Sequence, residues 1–330
     1  MRFTMHRRRR LMALSAATVA TGFTGVARAR TLDRPARLMV GFPAGSSPDF
    51  VARLLAENMR DFAPAIIVDN KPGAGGRLPL EALKTAERDG SVMVLTPGDQ
   101  VALFPHVYAR LGYDSLRDIA PVSTLCTVQF LLVVGPLVPT DAATVADFVT
   151  WCRANPKHAA YGSPGEGTRP HFMGASFAWE AGLEMTHVPY KGGPPIIQDL
   201  LAGQIACAFT VVSNALSNVQ SGQLRALAVT AERRSPLLPA VPTIRQAGYP
   251  AAEGVEFFEL FVPAGTPASV IDGLNEKVRN ALQAASFKDG LAKQGFEPAG
   301  STPGELGQLV RSDIDRWGAI VKQTGFKPID

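Results

Sequence analysis

The sequence predicts an α/β fold of two domains, each a mostly parallel sheet flanked by helices. Short apolar runs typical of buried strands alternate along the chain with segments of helical periodicity. One unit, a strand followed by a small-residue loop and a helix, occurs at residues 37–60 and again at residues 159–180. Because about 300 residues exceed one typical hydrophobic core, we expect one such unit in each domain.

The first unit shows why each element is expected. "RLMVGF" at residues 37–42 is a short apolar run that fits a buried strand. After it, apolar residues recur at spacings of three and four between Val51 and Phe62, which predicts an amphipathic helix. We expect this helix to begin with Ser47 as its N-cap and Pro48 at its first position.

The same criteria place the remaining elements. Further strands are predicted at 66–69, 91–98, 128–135, 185–192, 205–210 and 224–230, with an extended segment at 255–265. Helices are predicted at 78–90, 144–156, 195–203, 267–285 and 302–325. Open α/β sheets bind ligands at the carboxyl ends of their parallel strands. The two small-residue loops are therefore expected to face a shared cleft.

The first 29 residues have the features of an export signal. Five arginines within residues 1–10 precede a mildly apolar run at 11–26, and Ala27-Arg28-Ala29 fits the small-residue rule for cleavage. The run is too short and too polar to span a membrane. The arginine cluster favours a twin-arginine signal, with general secretory export as the alternative. We expect cleavage near Ala29 and a periplasmic mature chain.

Removal of this leader changes the charge balance. The full chain has 33 Lys and Arg against 29 Asp and Glu. The leader holds six of the arginines and no acid, so the mature chain has 27 bases, 29 acids and a net charge of −2. The basic precursor therefore gives no indication of a nucleic-acid partner. The three cysteines lack C-x-x-C spacing and are expected to be buried free thiols.

No catalytic or metal motif is complete. "KPGAGGRL" lacks the Lys and hydroxyl of a P-loop and the third glycine of a dinucleotide-binding loop. "YGSPGEG" resembles the G-x-S-x-G of a serine hydrolase, but Tyr161 stands at the first glycine. A hydrolase that uses Ser163 or Ser46 stays the enzymatic alternative. No histidines have H-x-x-x-H spacing, so no metal and no cofactor is expected. His171, about one turn after a small-residue loop, is a candidate to line a ligand site.

The two units offer backbone N–H groups where an enzyme would offer reactive side chains. Both loops are rich in Gly, Ser and Pro, and both lead into a helix N-terminus. Unpaired N–H groups and the helix dipole favour an anion at that position. Small side chains let a ligand approach the backbone closely. A carboxylate ligand fits such a site, and a helix start without a ligand is the alternative.

Several motifs, in this order, resemble those of the substrate-binding proteins of tripartite tricarboxylate transporters, the Bug receptor family. They are "FPAGSSPDFVARLLAE", "VDNKPGAGG", "DIAPVS", "YGSPGEGTRPH", "HVPYKGGPPIIQDLLAGQI", "LRALAVTAERRSPLLPAVPTIRQAGYP" and "FVPAGTP". The resemblance covers essentially the whole mature length. It implies a type II periplasmic-binding-protein fold, in which two α/β lobes joined by crossing strands close on a ligand. We expect lobe 1 to comprise residues 30–130 plus 255–330, and lobe 2 to comprise residues 131–254.

The resemblance also implies where a ligand is held. The first loop, Phe42 to Asp49, and the second loop, Ser163 to Thr168, would grip a ligand carboxylate, largely through backbone N–H groups and ordered water. The positions assigned to ligand binding are Phe42, Ala44, Gly45, Ser46, Asp49, Ser163, Gly165, Gly167, Thr168, His171, Tyr190, Thr210 and Phe257. Asp49 would brace its loop, or else contact a ligand ammonium or hydroxyl group.

Some residues depart from the family pattern. Ser46 replaces a glycine, Phe257 stands where Trp is common, and Glu259 stands where Gly is usual. Thr210 occupies a position that often carries an acid, which disfavours an amino-acid ligand. The resemblance implies a monomeric, non-enzymatic receptor that delivers a small organic carboxylate to membrane permease subunits. A ligand sensor that reports to a signalling partner is the alternative.

Overall fold

The structure, a computed structural model, describes residues 32–329. The predicted signal peptide at residues 1–29 lies outside the described residues. The strands are β1 (Ala36–Val40), β2 (Ile66–Asn70), β3 (Val92–Pro97), β4 (Ile119–Val128), β5 (Phe130–Val134), β6 (Ala160–Ser163), β7 (Thr186–Pro189), β8 (Cys207–Val211), β9 (Arg225–Val229), β10 (Glu256–Pro263) and β11 (Phe296–Pro298). The α-helices are α1 (Ser47–Asn58), α2 (Leu78–Leu83), α3 (Phe104–Val107), α4 (Val145–Ala154), α5 (Arg169–Ala181), α6 (Gly193–Leu201), α7 (Val212–Gln220), α8 (Ala268–Gln283), α9 (Ala285–Lys293) and α10 (Pro303–Thr324). A π-helical segment, Asp99–Leu103, precedes α3.

The strands form two sheets, one in each lobe. The first sheet has the order β11-β4-β10-β3-β1-β2, and the second has the order β7-β6-β8-β5-β9. β1 pairs in parallel with β2 and β3, and β6 pairs in parallel with β7 and β8. β10 is antiparallel to β3 and β4, and β5 is antiparallel to β8 and β9. The predicted two-lobe α/β fold is confirmed. The sheets are mixed and not purely parallel, because β10 in the first sheet and β5 in the second sheet, which follow the crossings between the lobes, run antiparallel to their neighbours.

The chain passes between the two sheets at two places. Gln129 alone separates β4 of the first sheet from β5 of the second, and the connection after β9 returns to β10. The single strand predicted at 128–135 is therefore wrong at its start, because β4 ends at Val128 and β5 begins at Phe130. β4 gives no clear strand signal in the sequence, because Pro121 and several Ser and Thr residues interrupt its apolar run. These strand memberships support the expected lobe boundaries, which stay a prediction.

Apolar side chains fix each loop-bearing helix against its sheet. Val51 and Leu55 of α1 are fully buried against the first sheet, on the face that the helical spacing predicted. Phe177 of α5 is fully buried with Phe148 and Phe209 in the second lobe. Close packing of this kind leaves little freedom to the strand ends, so the loops between strand and helix are held in defined positions.

Within residues 32–329, no helix combines the length and the apolar character needed to cross a bilayer.

Candidate ligand-binding site

The first loop connects β1 to α1 and is braced by Asp49. The Asp49 carboxylate is 2% exposed and accepts hydrogen bonds from the Gly45 amide at 2.8 Å, from Arg53 Nε at 3.0 Å and from Asn70 Nδ2 at 2.8 Å. Asn70 Nδ2 also donates to the carbonyl oxygen of Phe42 at 3.0 Å. Burial alone would raise the pKa of Asp49, but hydrogen bonds from Arg53, Gly45 and Asn70 outweigh it and lower that pKa. Asp49 therefore braces the loop, as one of its two expected roles required.

The start of α1 differs by one residue from the prediction. Ser46, not Ser47, is the N-cap, and Pro48 follows at the second helical position. The Ser46 hydroxyl is buried, and no hydrogen-bond partner for it lies within residues 32–329. The Ser46 hydroxyl therefore does not cap the helix amides. Asp49 instead holds the loop through Gly45, whose φ of +82° lies in the left-handed region that glycine tolerates.

The second loop connects β6 to α5 and is held from inside its own lobe. Ser163 Oγ lies 2.8 Å from His187 Nε2 and donates to the carbonyl oxygen of Gly165 at 2.9 Å. Thr168 Oγ1 donates to the same carbonyl at 2.7 Å. The Gly167 amide donates to His171 Nδ1 at 3.1 Å. His171 therefore supports the loop through its ring nitrogen, a role that the sequence did not suggest.

Several backbone N–H groups stay available at the two helix starts. Some predicted donors are used within the protein: Gly45 by Asp49, Gly167 by His171, and the Arg169 amide by Asp99 Oδ2 at 2.8 Å. Others make no hydrogen bond among the residues that the structure describes; they are the amides of Ala44, Ser47, Asp49, Glu166, Thr168 and His171. Each helix start thus presents three N–H groups that can donate hydrogen bonds to an anion.

The other predicted site residues lie at strand ends around these loops. Tyr190 follows β7, and its hydroxyl donates to Asp199 Oδ2 at 2.7 Å. Thr210 on β8 is fully buried, and its hydroxyl accepts from Asn214 Nδ2 at 3.1 Å. Phe257 on β10 accepts a backbone hydrogen bond from Gly98 and is half-buried. Over the described chain, no hydrogen bond joins the first loop to the second loop.

A buried charge cluster joins the two lobes beside the second loop. Arg169, the first residue of α5, is 1% exposed; its Nε donates to Asp99 Oδ1 at 2.9 Å, and its Nη1 donates to the Val255 carbonyl oxygen at 2.8 Å. Arg169 Nη2 lies 3.4 Å from Glu256 Oε1 and 3.5 Å from Asp313 Oδ2. Burial alone would lower the pKa of Arg169, but these three carboxyl groups outweigh it and raise that pKa. The guanidinium thus carries its charge inside the interlobe contact.

Two carboxyl groups of this cluster are driven toward the protonated form. Burial raises the pKa of Glu256 well above its usual value. Burial, with Asp313 and Asp99 nearby, raises the pKa of Glu259 to about 8. Glu259 Oε2 has no hydrogen-bond partner within residues 32–329. One guanidinium does not neutralise four surrounding carboxyl groups, so burial is tolerated by keeping protons on some of them.

Asp99, Arg169 and His187 were missed by the sequence analysis. Arg169 pairs with side chains 70 to 144 positions away, and no local spacing indicates such partners. His187 lies in the "HVPYKGG" motif, but its sequence neighbours give no sign of a contact with the second loop. Only the parallel pairing of β6 with β7, which sets Tyr161 opposite His187, brings it to the second loop.

The described residues give no sign of a metal centre. Between residues 32 and 329, no group of three or more His, Cys, Asp or Glu side chains is arranged to hold a metal ion. The three cysteines are buried and free, as predicted.

Fold and loops together define a two-lobed protein of the periplasmic-binding-protein class, with a helix start in each lobe at which three N–H groups make no hydrogen bond within residues 32–329. The family model of the tripartite tricarboxylate transporter family receptor matches residues 51–326. The chain therefore belongs to this family. It is 32% identical to the protein BugT of Bordetella pertussis over 324 residues, which cover 96% of this chain and 98% of BugT.

Solved structures of similar proteins share the fold over most of the chain. The Rhodopseudomonas palustris protein Rpa4515, solved with adipate, is 30% identical with a TM-score of 0.81, and the match covers 90% of this chain and 99% of that one. MatC of Rhodopseudomonas palustris, solved with bound malate, is 26% identical with a TM-score of 0.75, and the match covers 87% of this chain and 99% of that one.

Proposed function

We propose that the protein is an exported receptor that binds a small organic carboxylate between its two loops and delivers it to a membrane permease. The observation that carries this proposal is the set of N–H groups at the starts of α1 and α5, three at each, that make no hydrogen bond to any described residue. These donors follow the carboxyl ends of the parallel strands β1 and β6, the sheet edges at which open α/β sheets bind ligands. The ligand anion accepts from the backbone, so no basic side chain is required.

The energetics of such a site are sufficient for a transport receptor. A hydrogen bond to a charged group contributes about 1.5–3 kcal/mol. Binding at micromolar dissociation constant needs about 8 kcal/mol in total. Six such bonds, three at each helix start, would contribute about 9–18 kcal/mol, which exceeds that need before the entropic cost of association is subtracted. Closure of the lobes, which removes water from the carboxylate, strengthens each bond further.

Adipate and malate in two similar proteins support a dicarboxylate among the candidate ligands. Tricarboxylates and aromatic acids also carry a carboxylate group, which is the only part of the ligand that the two loops are proposed to bind. Thr210 brings no negative charge to the pocket, and its hydroxyl is used by Asn214. An amino-acid ligand, whose ammonium group needs an acid, is therefore disfavoured.

The ligand class is tested by a thermal-shift screen followed by calorimetry. A ligand that binds only the folded state raises the melting temperature, so adipate, malate, citrate and benzoate are compared at equal concentration. The proposal expects at least one carboxylate to raise it and the corresponding amides to have no effect. Carboxylates and amides that behave alike would contradict an anion site.

Ser47→Pro tests the backbone donors directly. Pro at the start of a helix fits the backbone, because the φ of Pro is helical and the preceding Ser46 is extended (φ −71°, ψ 162°). Ser47→Pro therefore removes the N–H group together with the side-chain hydroxyl. We expect Ser47→Pro to weaken the binding of the best screened carboxylate by about 10- to 100-fold, the loss of one charge-assisted hydrogen bond. The matched control Ser47→Ala keeps the N–H group and should bind with nearly wild-type affinity. Equal affinities of the two variants would remove the first loop from the site.

A serine hydrolase is the competing function. Ser163 Oγ is 2.8 Å from His187 Nε2, within the reach of a nucleophile and its base. Ser163 is fully buried, however, and its hydroxyl proton is directed to Gly165. Burial, with His171 adjacent, lowers the pKa of His187 to about 3, so it is a weak base at neutral pH. Hydrolysis of a p-nitrophenyl ester by the wild type and its loss in Ser163→Ala would favour the enzyme.

The final destination of the ligand is tested in cells. A transport receptor predicts that deletion of its gene abolishes uptake of the radiolabelled carboxylate. A sensor predicts unchanged uptake and a lost transcriptional or kinase response. The proposed periplasmic location is checked by N-terminal sequencing of the exported protein, which should begin near residue 30.

A further inference from the structure

Two histidine rings stack behind the second loop. The imidazoles of His171 and His187 lie with their centroids 3.7 Å apart and their planes at 8°. His171 is on the first turn of α5 and His187 is on β7, so separate elements bring them together. Each ring contacts the loop at a different point: His171 through the amide of Gly167 at 3.1 Å, and His187 through the hydroxyl of Ser163 at 2.8 Å.

The hydrogen bonds fix where the protons of these rings lie. The Gly167 N–H group points at His171 Nδ1, so that nitrogen accepts and carries no hydrogen. The Ser163 hydroxyl donates to the Gly165 carbonyl oxygen, so Ser163 Oγ accepts from His187 Nε2. His171 is consequently neutral with its hydrogen on Nε2, and His187 carries a hydrogen on the nitrogen that meets the loop.

We propose that the His171–His187 pair is a positioning device for the second loop, which holds its free N–H groups at the geometry that a ligand carboxylate requires. This inference rests on the proposed function. The pair holds Ser163 and Gly167 directly, and Ser163 in turn donates to the carbonyl oxygen of Gly165. Glu166 and Thr168, whose amides make no hydrogen bond within residues 32–329, lie on either side of Gly167. Fixing one set therefore orients the other. Neither histidine needs to touch the ligand.

The surroundings keep both rings neutral. Tyr161 of β6 packs against both, 5.0 Å from His187 and 6.4 Å from His171 between ring centroids. Phe172 of α5 and Phe326 of the C-terminal segment contact His171 at 5.0 and 5.7 Å. Tyr161 and Ser163 are polar side chains that contact the pair, and within residues 32–329 no carboxylate or cationic side chain forms an ion pair with either ring. Burial lowers the pKa of His171 to about 4, and burial with His171 adjacent lowers that of His187 to about 3.

Protonation of His171 would undo this arrangement. A hydrogen on Nδ1 would point at the Gly167 N–H group, so the loop would lose an acceptor and gain a repulsion. A charged ring would also face its stacked partner at 3.7 Å. The loop amides are therefore held by a pair that works only when both rings are uncharged.

The experiment compares four proteins: wild type, His171→Leu, His171→Asn and, as a matched control, His158→Leu, which removes an exposed histidine elsewhere. Asn places an amide oxygen close to the position of Nδ1 and does not titrate. Adipate is the probe, and its dissociation constant is measured by calorimetry from pH 3.5 to 7.5. We expect His171→Leu to bind at least tenfold more weakly at pH 7, His171→Asn to recover most of that loss, and His158→Leu to match the wild type.

The pH profile separates positioning from simple packing. The ratio of the wild-type and His171→Asn dissociation constants cancels the protonation of adipate itself. We expect this ratio to be constant above pH 5 and to rise toward tenfold per pH unit below about 4, because only the wild type loses its acceptor. A flat ratio down to pH 3.5, or wild-type affinity in His171→Leu, would overturn the inference.

A readout without ligand keeps the two proposals distinguishable. Imidazole ¹⁵N chemical shifts should show His171 Nδ1 unprotonated at pH 7, and the Gly167 amide should exchange slowly in the wild type and in His171→Asn but fast in His171→Leu. A hydrogen on His171 Nδ1, or equal exchange in all variants, would overturn the positioning role. Should the wild type bind none of the screened carboxylates, the proposed function fails while the tautomer and exchange data still decide the role of the pair.

Discussion

Two buried carboxyl groups show how the same chemical group takes opposite roles at single positions. Asp49 receives hydrogen bonds from three donors, so its pKa is lowered despite burial. Glu259 is buried next to Asp313 and Asp99, one of its oxygens has no partner among the described residues, and its pKa is raised to about 8. The sequence could predict the first role, since an acid at a helix start is a common brace. It could flag Glu259 only as an unusual residue at its position.

Glu259→Gln should make stability less dependent on pH. With a pKa of about 8 when folded and about 4.5 when unfolded, Glu259 binds its proton more tightly in the folded state. The contribution of Glu259 to stability is therefore fully present below pH 4.5 and is lost as the pH rises to about 8, by up to roughly 1.4 kcal/mol per pH unit. Gln has no such proton, so urea unfolding should show a variant that matches the wild type near pH 4.5 and exceeds it by a few kcal/mol at pH 8.

The exposed Glu57→Gln is the matched control for this charge removal and should follow the wild-type pH profile. A parallel profile for Glu259→Gln would show that Glu259 is ionised in the folded protein at neutral pH.

At the level of elements, the sequence predicted the two strand–loop–helix units well and the crossing region poorly. Both units have a local signal: an apolar run, a small-residue loop and an amphipathic helix. β11 spans Phe296–Pro298 and has no such signal, because so short a strand is defined by its partner β4. The stacking of His171 on His187 likewise depends on the pairing of β6 with β7. The local sequence pattern therefore predicts where the two loops lie. The residues that hold the loops in place depend on strand pairing between distant segments, which the local pattern does not show.

Gly45→Ala and Gly167→Ala should separate backbone strain from crowding in the two loops. Both glycines have positive φ, +82° and +71°, so each alanine costs about 1–2 kcal/mol. A Cβ at Gly45 meets nothing within 4 Å, whereas one at Gly167 would lie 2.4 Å from Val107 Cγ1. In urea unfolding we expect Gly167→Ala to be the more destabilising, and Val107→Ala to rescue part of that loss but none of the Gly45→Ala loss. Equal costs at the two glycines would show that the second loop is not seated on the first lobe.

At the level of the whole molecule, a buried cluster of ion pairs joins the two lobes in addition to the two chain crossings. Arg169 of α5 reaches Asp99, Glu256 and Asp313, which come from the π-helical segment, β10 and α10. The Arg169 amide also donates to Asp99, so the first turn of α5 is attached to the other lobe. No spacing in the sequence predicts a contact among four elements so far apart along the chain. A hinge motion that opens the cleft must therefore turn about this cluster or break it.

Arg169→Met tests whether the cluster anchors the lobes. Removing the guanidinium leaves Asp99 and Asp313 buried without their partner, which should cost about 3–5 kcal/mol in urea unfolding. With the anchor gone, the ligand-free protein should show a larger radius of gyration in solution scattering than the wild type. A saturating carboxylate should contract both proteins, because closure is driven by the loops, but at higher ligand concentration in the variant.

Arg153→Met, at an exposed arginine of α4, serves as control and should scatter like the wild type. If Arg169→Met is too unstable to purify, Asp99→Asn weakens the same contact more gently; scattering identical to the wild type in either variant would mean that the cluster stabilises the fold without setting the lobe arrangement.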